Sequence, residues 1–370
     1  MDFASSANPP LRFPLQDLKL FAAEVFLRDG VPQIDAVQAA EVLCTADAWG
    51  IRSHGLARLR AYHDSLVAGR VNPVAKPRIT RDSPSVVVFD ADNGLGLVTA
   101  PVANRMAIER AQATGAAWVS VFNSNHFGIA GYYPVQGLDR DLIGMAMTNT
   151  PPLVAPLWGA KRTLGTNPIA FAFPADKEPP VVVDMSTSGI SLGAVEVASR
   201  EDSDLPAGCA ANNLGQPTVA PSDFFAGGML LPLGGVRETG GHKGYCLAAL
   251  VDLLCGPLAG ASWGPFIAPF PIARDNPPGR AAGKGIGHLF GAYSISSFSD
   301  PLTFRQTVDE WIRTMRTTPP QVGSDGPIIP GDPERIAAEQ NRSLGVDLER
   351  KVATDLNHLG LQLGIEFHRF

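Results

Sequence analysis

Charge is sparse in this 370-residue chain: Asp, Glu, Lys and Arg make up 18% of it, and 30 Lys+Arg against 36 Asp+Glu leave a formal net charge of −6. No basic run with interleaved aromatics is present, so nucleic acid is not an expected partner. Cysteine is as thin. Cys44, Cys209, Cys246 and Cys255 contain no C-x-x-C pair, which fits neither a disulfide scaffold nor a zinc site. The seven histidines, His54, His63, His126, His242, His288, His358 and His368, form no H-x-x-x-H or H-E-x-x-H pair, so no metal is expected. Uninterrupted apolar runs are missing too. The longest, Gly244 to Ala273, holds Asp252 and is broken by Pro257, Pro265 and Pro269, which predicts a buried helix and a loop rather than a membrane span. The opening MDFASSANPPLRFPLQDLKL has neither a basic n-region nor an apolar h-region, so a cytoplasmic protein is expected.

What is plentiful is glycine (38) and proline (32), without a collagen-like period, in a chain that is 45% hydrophobic. That composition is globular and loop-rich, and the length suggests two domains. From Leu15 to Gly69, LQDLKLFAAEVFLRDG, IDAVQAAEVLCTADAWG and SHGLARLRAYHDSLVAG space apolar residues at three and four and end near Gly, which predicts three helices. Strand-like runs follow at 85–91, 116–123, 142–148, 168–174, 180–186 and 286–295, with helices at 100–115 and 243–260. Residues 187–239 read as an irregular excursion, and the tail as two helical stretches near 303–316 and 345–365. The expected architecture is α+β: a helical domain from both ends, 1–80 plus 303–370, around a central domain, 81–302.

A dinucleotide fold of the Rossmann type is not supported. Gly94-Leu95-Gly96-Leu97-Val98-Thr99 follows a strand and precedes a helix, but its last position is Thr and no acidic residue ends a strand about twenty residues on. GKGIGH (283–288) is followed by a strand; both read as tight turns in which Gly supplies positive φ.

Five clusters could carry chemistry. In Arg52-Ser53-His54-Gly55-Leu56-Ala57-Arg58, with Tyr62, a helix would put His54, Arg58 and Tyr62 on one face at i, i+4 and i+8. Arg58 could hold a carboxylate by two hydrogen bonds while His54 exchanges a proton, with Ser53 orienting the ring; the plainer alternative is a solvated helix face. Asn123 to Tyr133 contains His126 at a strand end, as a capping residue or as a second polar group of a site. Gly165-Thr166-Asn167-Pro168 reads locally as a turn. Asp184-Met185-Ser186-Thr187-Ser188 ends a Val-rich strand in a carboxylate and three hydroxyls, suited to ribose or phosphate or to capping a turn. In Gly240-Gly241-His242-Lys243-Gly244-Tyr245, positive side chains at a helix start oppose the dipole and point to an anionic ligand.

Together these segments occur in the order and spacing of the type 2 malate/L-lactate dehydrogenase family, which the chain resembles over roughly residues 15–365. The resemblance implies a homodimeric NAD(P)-dependent oxidoreductase of small carboxylates such as malate or L-lactate. Its fold would be non-Rossmann, with a mixed or antiparallel sheet binding the cofactor beside the helical domain. The family also includes sulfolactate and ureidoglycolate dehydrogenases and a reductase of cyclic imino acids, which is the first alternative; a non-catalytic NAD(P)-binding relative is the second. Carried over, the pattern makes His54 the proton donor, Ser53 its relay partner and His126 a second catalytic candidate. Arg58, Tyr62 and Thr166 would bind substrate. His126, Phe127, Gly128, Ile129, Ala130, Asp184, Met185, Ser186, His242, Lys243, Pro330 and Gly331 would bind NAD or NADP, NAD being preferred. One departure stands out: relatives usually carry a charged residue where this chain has Ala194, so a full Ser/His/acid relay is incomplete.

Overall fold

The computed structural model describes residues 11–269 and 283–367. The start of the chain up to Pro10, residues 270–273 of the long apolar run, and His368 lie outside the described residues. The chain divides into two compact units, Met1–Val74 with Asp332–Phe370, and Ala75–Gly331.

The first unit is helical. Leu15–Arg28 and Gln33–Ala48 pack as a pair, and the Ala-rich stripe Ala36, Ala39, Ala40 and Ala46 of the second lets the backbones approach closely. Pro32 starts the second helix after a left-handed Gly30. Leu59–Val67, Asp332–Leu344 and Arg350–Leu363 complete the helices. Leu11–Phe13 pairs antiparallel with Val346–Leu348, tying the two ends of the chain together within this unit. Phe26, Leu43, Leu59 and Tyr62 are fully buried, each stabilising the unit by roughly 1.5–3 kcal/mol.

The second unit is built on a seven-stranded sheet in the order Arg78–Asp82, Val86–Asp90, Ala116–Ser124, Ile286–Ser294, Leu142–Thr148, Ile169–Phe173, Val181–Met185. Its one parallel pair, Val86–Asp90 with Ala116–Ser124, is the pair joined by the helix Gly96–Thr114, because a parallel pairing needs a long crossover. The other five pairings are antiparallel. Ile286–Ser294 is the central strand, and its alternation sorts the faces. Phe290 joins Val119, Val121, Ala103 and Ala107 in one cluster, whereas Leu289 joins Met145, Met147, Val251 and Cys255 in another.

The cuts between units fall at 74/75 and 331/332 rather than at 80/81 and 302/303. Arg78–Asp82 is an exposed edge strand, RITRD, whose charged residues conceal it in the sequence. Helix Pro301–Arg316 belongs to the sheet unit: the Asp309 carboxylate accepts the amides of Asp176, Lys177 and Glu178, and Ile312 is buried with Val181 and Ile329. Residues 187–239 hold more order than expected, namely helices Leu192–Arg200 and Pro221–Phe225 and a small three-stranded sheet. Ser191 caps the first of these by accepting the Ala194 amide at 3.2 Å, so its G-x-S-x-G setting (189–193) is a helix start. Asp332–Leu344, outside the two helical stretches expected in the tail, also forms a helix.

The glycines of 94–99 play a different part from the expected one. Gly96 is the first residue of helix Gly96–Thr114 and has no positive φ; a Cβ on it would lie 2.2 Å from the Asn125 carbonyl oxygen. It is needed for close approach of the 125–126 loop, whereas Gly283 and Gly285 do adopt positive φ.

Candidate active site

In the helical unit, residues 52–67 are not one helix. Arg52–His54 and Leu56–Arg58 are single tight turns separated at Gly55, whose φ −91°, ψ −143° interrupts the helix, and only Leu59–Val67 is α-helical. His54, Arg58 and Tyr62 therefore do not share a helix face. Tyr62 is 1% exposed and its ring meets Phe26 edge-on, 6.2 Å between centroids, in the core of the unit. The other three residues do cluster. Ser53 Oγ lies 2.8 Å from His54 Nδ1, and Arg58 Nε donates to the Ser53 carbonyl at 2.8 Å. Burial first, and the Arg58 charge second, push His54 down to about 4. At neutral pH its imidazole is thus uncharged beside a fixed guanidinium.

Sequence reasoning passed over Asp47. It sits one residue before the end of helix Gln33–Ala48, 3% exposed, and accepts the Leu56 amide at 2.7 Å. Burial raises it to about 7 against the opposing pull of that hydrogen bond and of Arg52. A lone acid among the small residues of a buried helical stripe was the available signal.

In the sheet unit, the loop after strand Ala116–Ser124 is pinned on several sides. Asn125 Nδ2 donates to the Gly94 carbonyl at 2.9 Å, and the His126 Nδ1 accepts the Gly128 amide at 3.3 Å. Phe127, Ile129 and Ala130 are buried, so any cofactor role for them runs through their backbone. Phe127 is sandwiched between Tyr133, 4.8 Å away, and His288, 4.7 Å away and tilted by 11°. His288, also passed over, is fully buried and held at both nitrogens, by Thr148 Oγ1 at 2.7 Å and Ser124 Oγ at 2.8 Å. The Thr148 hydroxyl also donates to the Asn149 and Gly287 carbonyls, and the Ser124 hydroxyl to that of Asn125. Burial pushes this ring down to about 3, so it stays neutral.

The Asp184 carboxylate accepts the Gly131 amide at 2.7 Å, joining the 126–131 loop to the end of strand Val181–Met185. A Cβ at Gly131 would come within 2.8 Å of that carboxylate. On the other side of the strand, the Val182 amide donates to the Pro330 carbonyl at 3.0 Å, and Gly331 (φ 97°) passes over Val182. Past Met185 and Ser186, Thr187 bonds to the carbonyls of Thr166 and Asn167, and the Leu233 amide donates to the Thr187 carbonyl at 2.9 Å. Leu233 packs on Gly244, where a Cβ would meet its carbonyl at 2.2 Å. Thr166 Oγ1 is 3.3 Å from Thr150 Oγ1. Asn167, fully buried, takes the Thr150 amide and donates to the Ala248 carbonyl, so its side chain ties together distant segments rather than closing a local turn.

His242 and Lys243 stand at the start of helix Gly241–Cys255, after a left-handed Gly240. Arg237, a further basic residue outside the motif, lies 2.8 Å from His242 Nδ1. The stretches 126–131, 184–188, 330–331 and the 241–255 helix start are thus linked by hydrogen bonds or glycine contacts within one unit. No group of His, Cys, Asp or Glu fit to hold a metal is present among the described residues. Nor does any helix among them have the length and apolarity to cross a membrane.

Residues 13–357 match the family described as malate/L-lactate dehydrogenase. The chain is 38% identical over 357 residues to a malate dehydrogenase of Pyrococcus horikoshii, covering 96% of each. It is 33% identical over 344 residues to a (2R)-3-sulfolactate dehydrogenase (NADP(+)) of Chromohalobacter salexigens, covering 92% of this chain and 96% of that one. It is also 31% identical over 319 residues to a ureidoglycolate dehydrogenase (NAD(+)) of Escherichia coli O157:H7, covering 86% and 87%. Among solved structures, the P. horikoshii OT3 malate dehydrogenase superposes with a TM-score of 0.88 at 34% identity over 99% of both chains. A delta1-piperideine-2-carboxylate reductase from Pseudomonas syringae superposes at 0.80, with 28% identity over 94% of this chain and 99% of that one.

Proposed function

The chain belongs to the malate/L-lactate dehydrogenase family, and on that premise we propose that it interconverts malate, or a close small 2-hydroxy acid, with the 2-oxo acid. It is an oxidoreductase of small 2-hydroxy acids that uses a nicotinamide cofactor; NAD over NADP, a homodimer and a cytoplasmic location are the finer parts of the reading. The observation that carries the reaction is the Ser53–His54–Arg58 turn, which sets a neutral imidazole beside a guanidinium.

The sheet unit suits a dinucleotide. Arg237 and Lys243 add positive charge at a helix start where the dipole already disfavours it, an arrangement that favours an anionic group such as pyrophosphate. His242 and Lys243, the backbone of His126 to Ala130, the Asp184–Ser186 stretch and Pro330–Gly331 would hold the cofactor. When bound, the nicotinamide supplies or takes up the hydride. The protein's own residues do the rest. Arg58 pairs with the substrate carboxylate, Thr166 meets the substrate, and His54 Nε2 takes the hydroxyl proton in oxidation and returns it in reduction, while Ser53 fixes the ring through Nδ1. A carboxylate on Arg58 offsets the charge that helps depress His54, so substrate binding itself makes the ring easier to protonate. Tyr62 acts as a support from the core, and His126 is the second candidate for proton transfer.

A cyclic imino-acid reductase is the second reading, favoured by the likeness to the piperideine carboxylate reductase and by Ala194, where no charged residue is available to extend the relay. Both are tested by offering 2-oxo acids and cyclic imines with NADH and NADPH and following absorbance at 340 nm. Turnover of oxaloacetate or pyruvate with weak imine activity supports the first reading; the reverse supports the second. NADH quenching of tryptophan fluorescence with no turnover on any substrate would leave a non-catalytic binder.

A further inference from the structure

We propose that Asp47 is a positioning residue that holds the turn carrying Ser53, His54 and Arg58, an inference that rests on His54 being the proton carrier. Leu56 opens the short turn Leu56–Arg58, and the first amides of such a turn have no partner inside it. Asp47 supplies that partner from another element, at 2.7 Å. Gly55 lies flat on the same carboxylate: a Cβ there would come within 2.2 Å of the Asp47 carboxyl carbon and both its oxygens. Asp47 is therefore both the hydrogen-bond acceptor for residue 56 and the floor under residue 55.

Asp47 is itself held. Its carbonyl accepts the Gly50 amide at 2.9 Å and Asn341 Nδ2 at 3.3 Å, and the same Asn341 group donates to the Ala48 carbonyl at 2.9 Å. Arg52 is anchored to Asp347 at 2.8 Å. The segment leaving helix Gln33–Ala48 is thus pinned at Gly50, Arg52 and Leu56, and His54 lies between the last two. Without the Asp47 carboxylate the Leu56 amide is left unpaired and Gly55 loses its support, while the other two anchors remain.

Asp47 also borders a cavity of about 160 Å³, together with Arg12, Arg52, Asp347, Gln340 and Asn341. The charged or titratable groups around Asp47 are Arg52 from the turn, Arg12 and Asp347 from the paired strands, and Cys44 on its own helix; Asp332–Leu344 contributes only the uncharged Ala337, Gln340 and Asn341 to the cavity. With Asp47 held at about 7, its bond to Leu56 is made by a carboxylate above that pH and by a carboxylic acid below it. Substrate turnover then carries a pH limb that belongs to a residue touching neither substrate nor cofactor.

The test compares wild type, Asp47→Asn and Asp47→Ala as full chains. Steady-state kinetics are followed from pH 5.5 to 8.5, and the His54 ring is titrated by NMR on histidine-labelled protein. Asp47→Ala should lower kcat by about 10–100-fold, the effect of one hydrogen bond to a charged group, and move the His54 titration up from about 4 toward the ordinary 6.5. Asp47→Asn keeps an acceptor oxygen, so it should restore about tenfold of that kcat and bring His54 back down, yet lose the limb near pH 7. Wild-type kinetics and an unmoved His54 in Asp47→Ala would overturn the proposal, as would equal losses in both variants without a His54 shift. If Asp47→Ala does not fold, a wild-type limb near pH 7 in Asp47→Asn overturns it. A wild-type protein inert toward every oxo acid and imine defeats the functional reading instead, and the His54 titration still decides the role of Asp47.

Discussion

Replacing Asp47 by Asn changes how folding stability depends on pH, by an amount set by its burial. A carboxyl raised from 3.8 to about 7 binds its proton more tightly in the folded protein than in the unfolded chain. Its contribution to stability is therefore fully present below pH 3.8 and is lost as pH rises, with the loss complete once pH passes 7. At 1.36 kcal/mol per pH unit the accumulated loss is about 1.7 kcal/mol at pH 5 and about 4.3 kcal/mol at pH 8. Asn cannot ionise and escapes that loss, while its side-chain oxygen still accepts from Leu56. The stability of Asp47→Asn relative to wild type should thus improve by about 2.6 kcal/mol between pH 5 and pH 8. Urea unfolding of both proteins at the two pH values measures it, and the comparison cancels every other titrating group. An offset between the two proteins that is the same at pH 5 and pH 8 would refute the reasoning, because it would mean that Asp47 titrates alike in folded and unfolded chains.

His54→Ala should cut kcat by about 10²–10⁴-fold with cofactor affinity near wild type, as expected for loss of a general acid–base; near-normal turnover would transfer the role to His126. Arg58→Lys should mainly raise KM for the oxo acid through loss of bidentate pairing, and an unchanged KM for every acid tested would remove Arg58 from the carboxylate site. Gly96→Ala drives a Cβ to 2.2 Å from the Asn125 carbonyl oxygen and 2.4 Å from that of His126; because both are backbone atoms, it should cost about 3 kcal/mol of stability, the upper part of the overpacking range. A melting temperature equal to wild type would show that the 125–126 loop moves aside freely.

Local signals in the chain were enough for most of the sheet. Leu142–Thr148 falls where its run of Leu, Ile and Met ends, and Val86–Asp90 and Val181–Met185 follow their valines to within a residue. What escaped was what depends on partners far along the chain. Arg78–Asp82 looks like a solvated loop because an edge strand has little to bury, and Pro301–Arg316 has an amphipathic pattern that says nothing of which unit it faces. The candidate site divides the same way. Ser53, His54 and Arg58 stand within six residues, so their grouping was readable; the break at Gly55 was not, because its cause, the Asp47 carboxylate, lies eight residues earlier on another helix. Arg237 and His288 acquire meaning only through His242 and Phe127, which the fold brings to them.

His54 and His288 show why a depressed imidazole is not by itself a sign of catalysis. Both are pushed well below 6.5, mainly by burial. His288 has both nitrogens beside hydroxyls and a ring stacked on Phe127, so a second proton would place a charge in a fully buried site. The backbone of Asn125 and Gly287 offsets only part of the burial, and the ring remains a neutral strut under the 126–131 loop. His54 differs in one respect: part of its depression comes from Arg58, a charge that a bound carboxylate can offset. The neutral ring suits removal of a proton from a hydroxyl, and the ring beside a neutralised Arg58 suits its return to an oxo group. One substrate carboxylate can therefore anchor the molecule and bring the proton carrier toward the working pH, which a strut such as His288 cannot do.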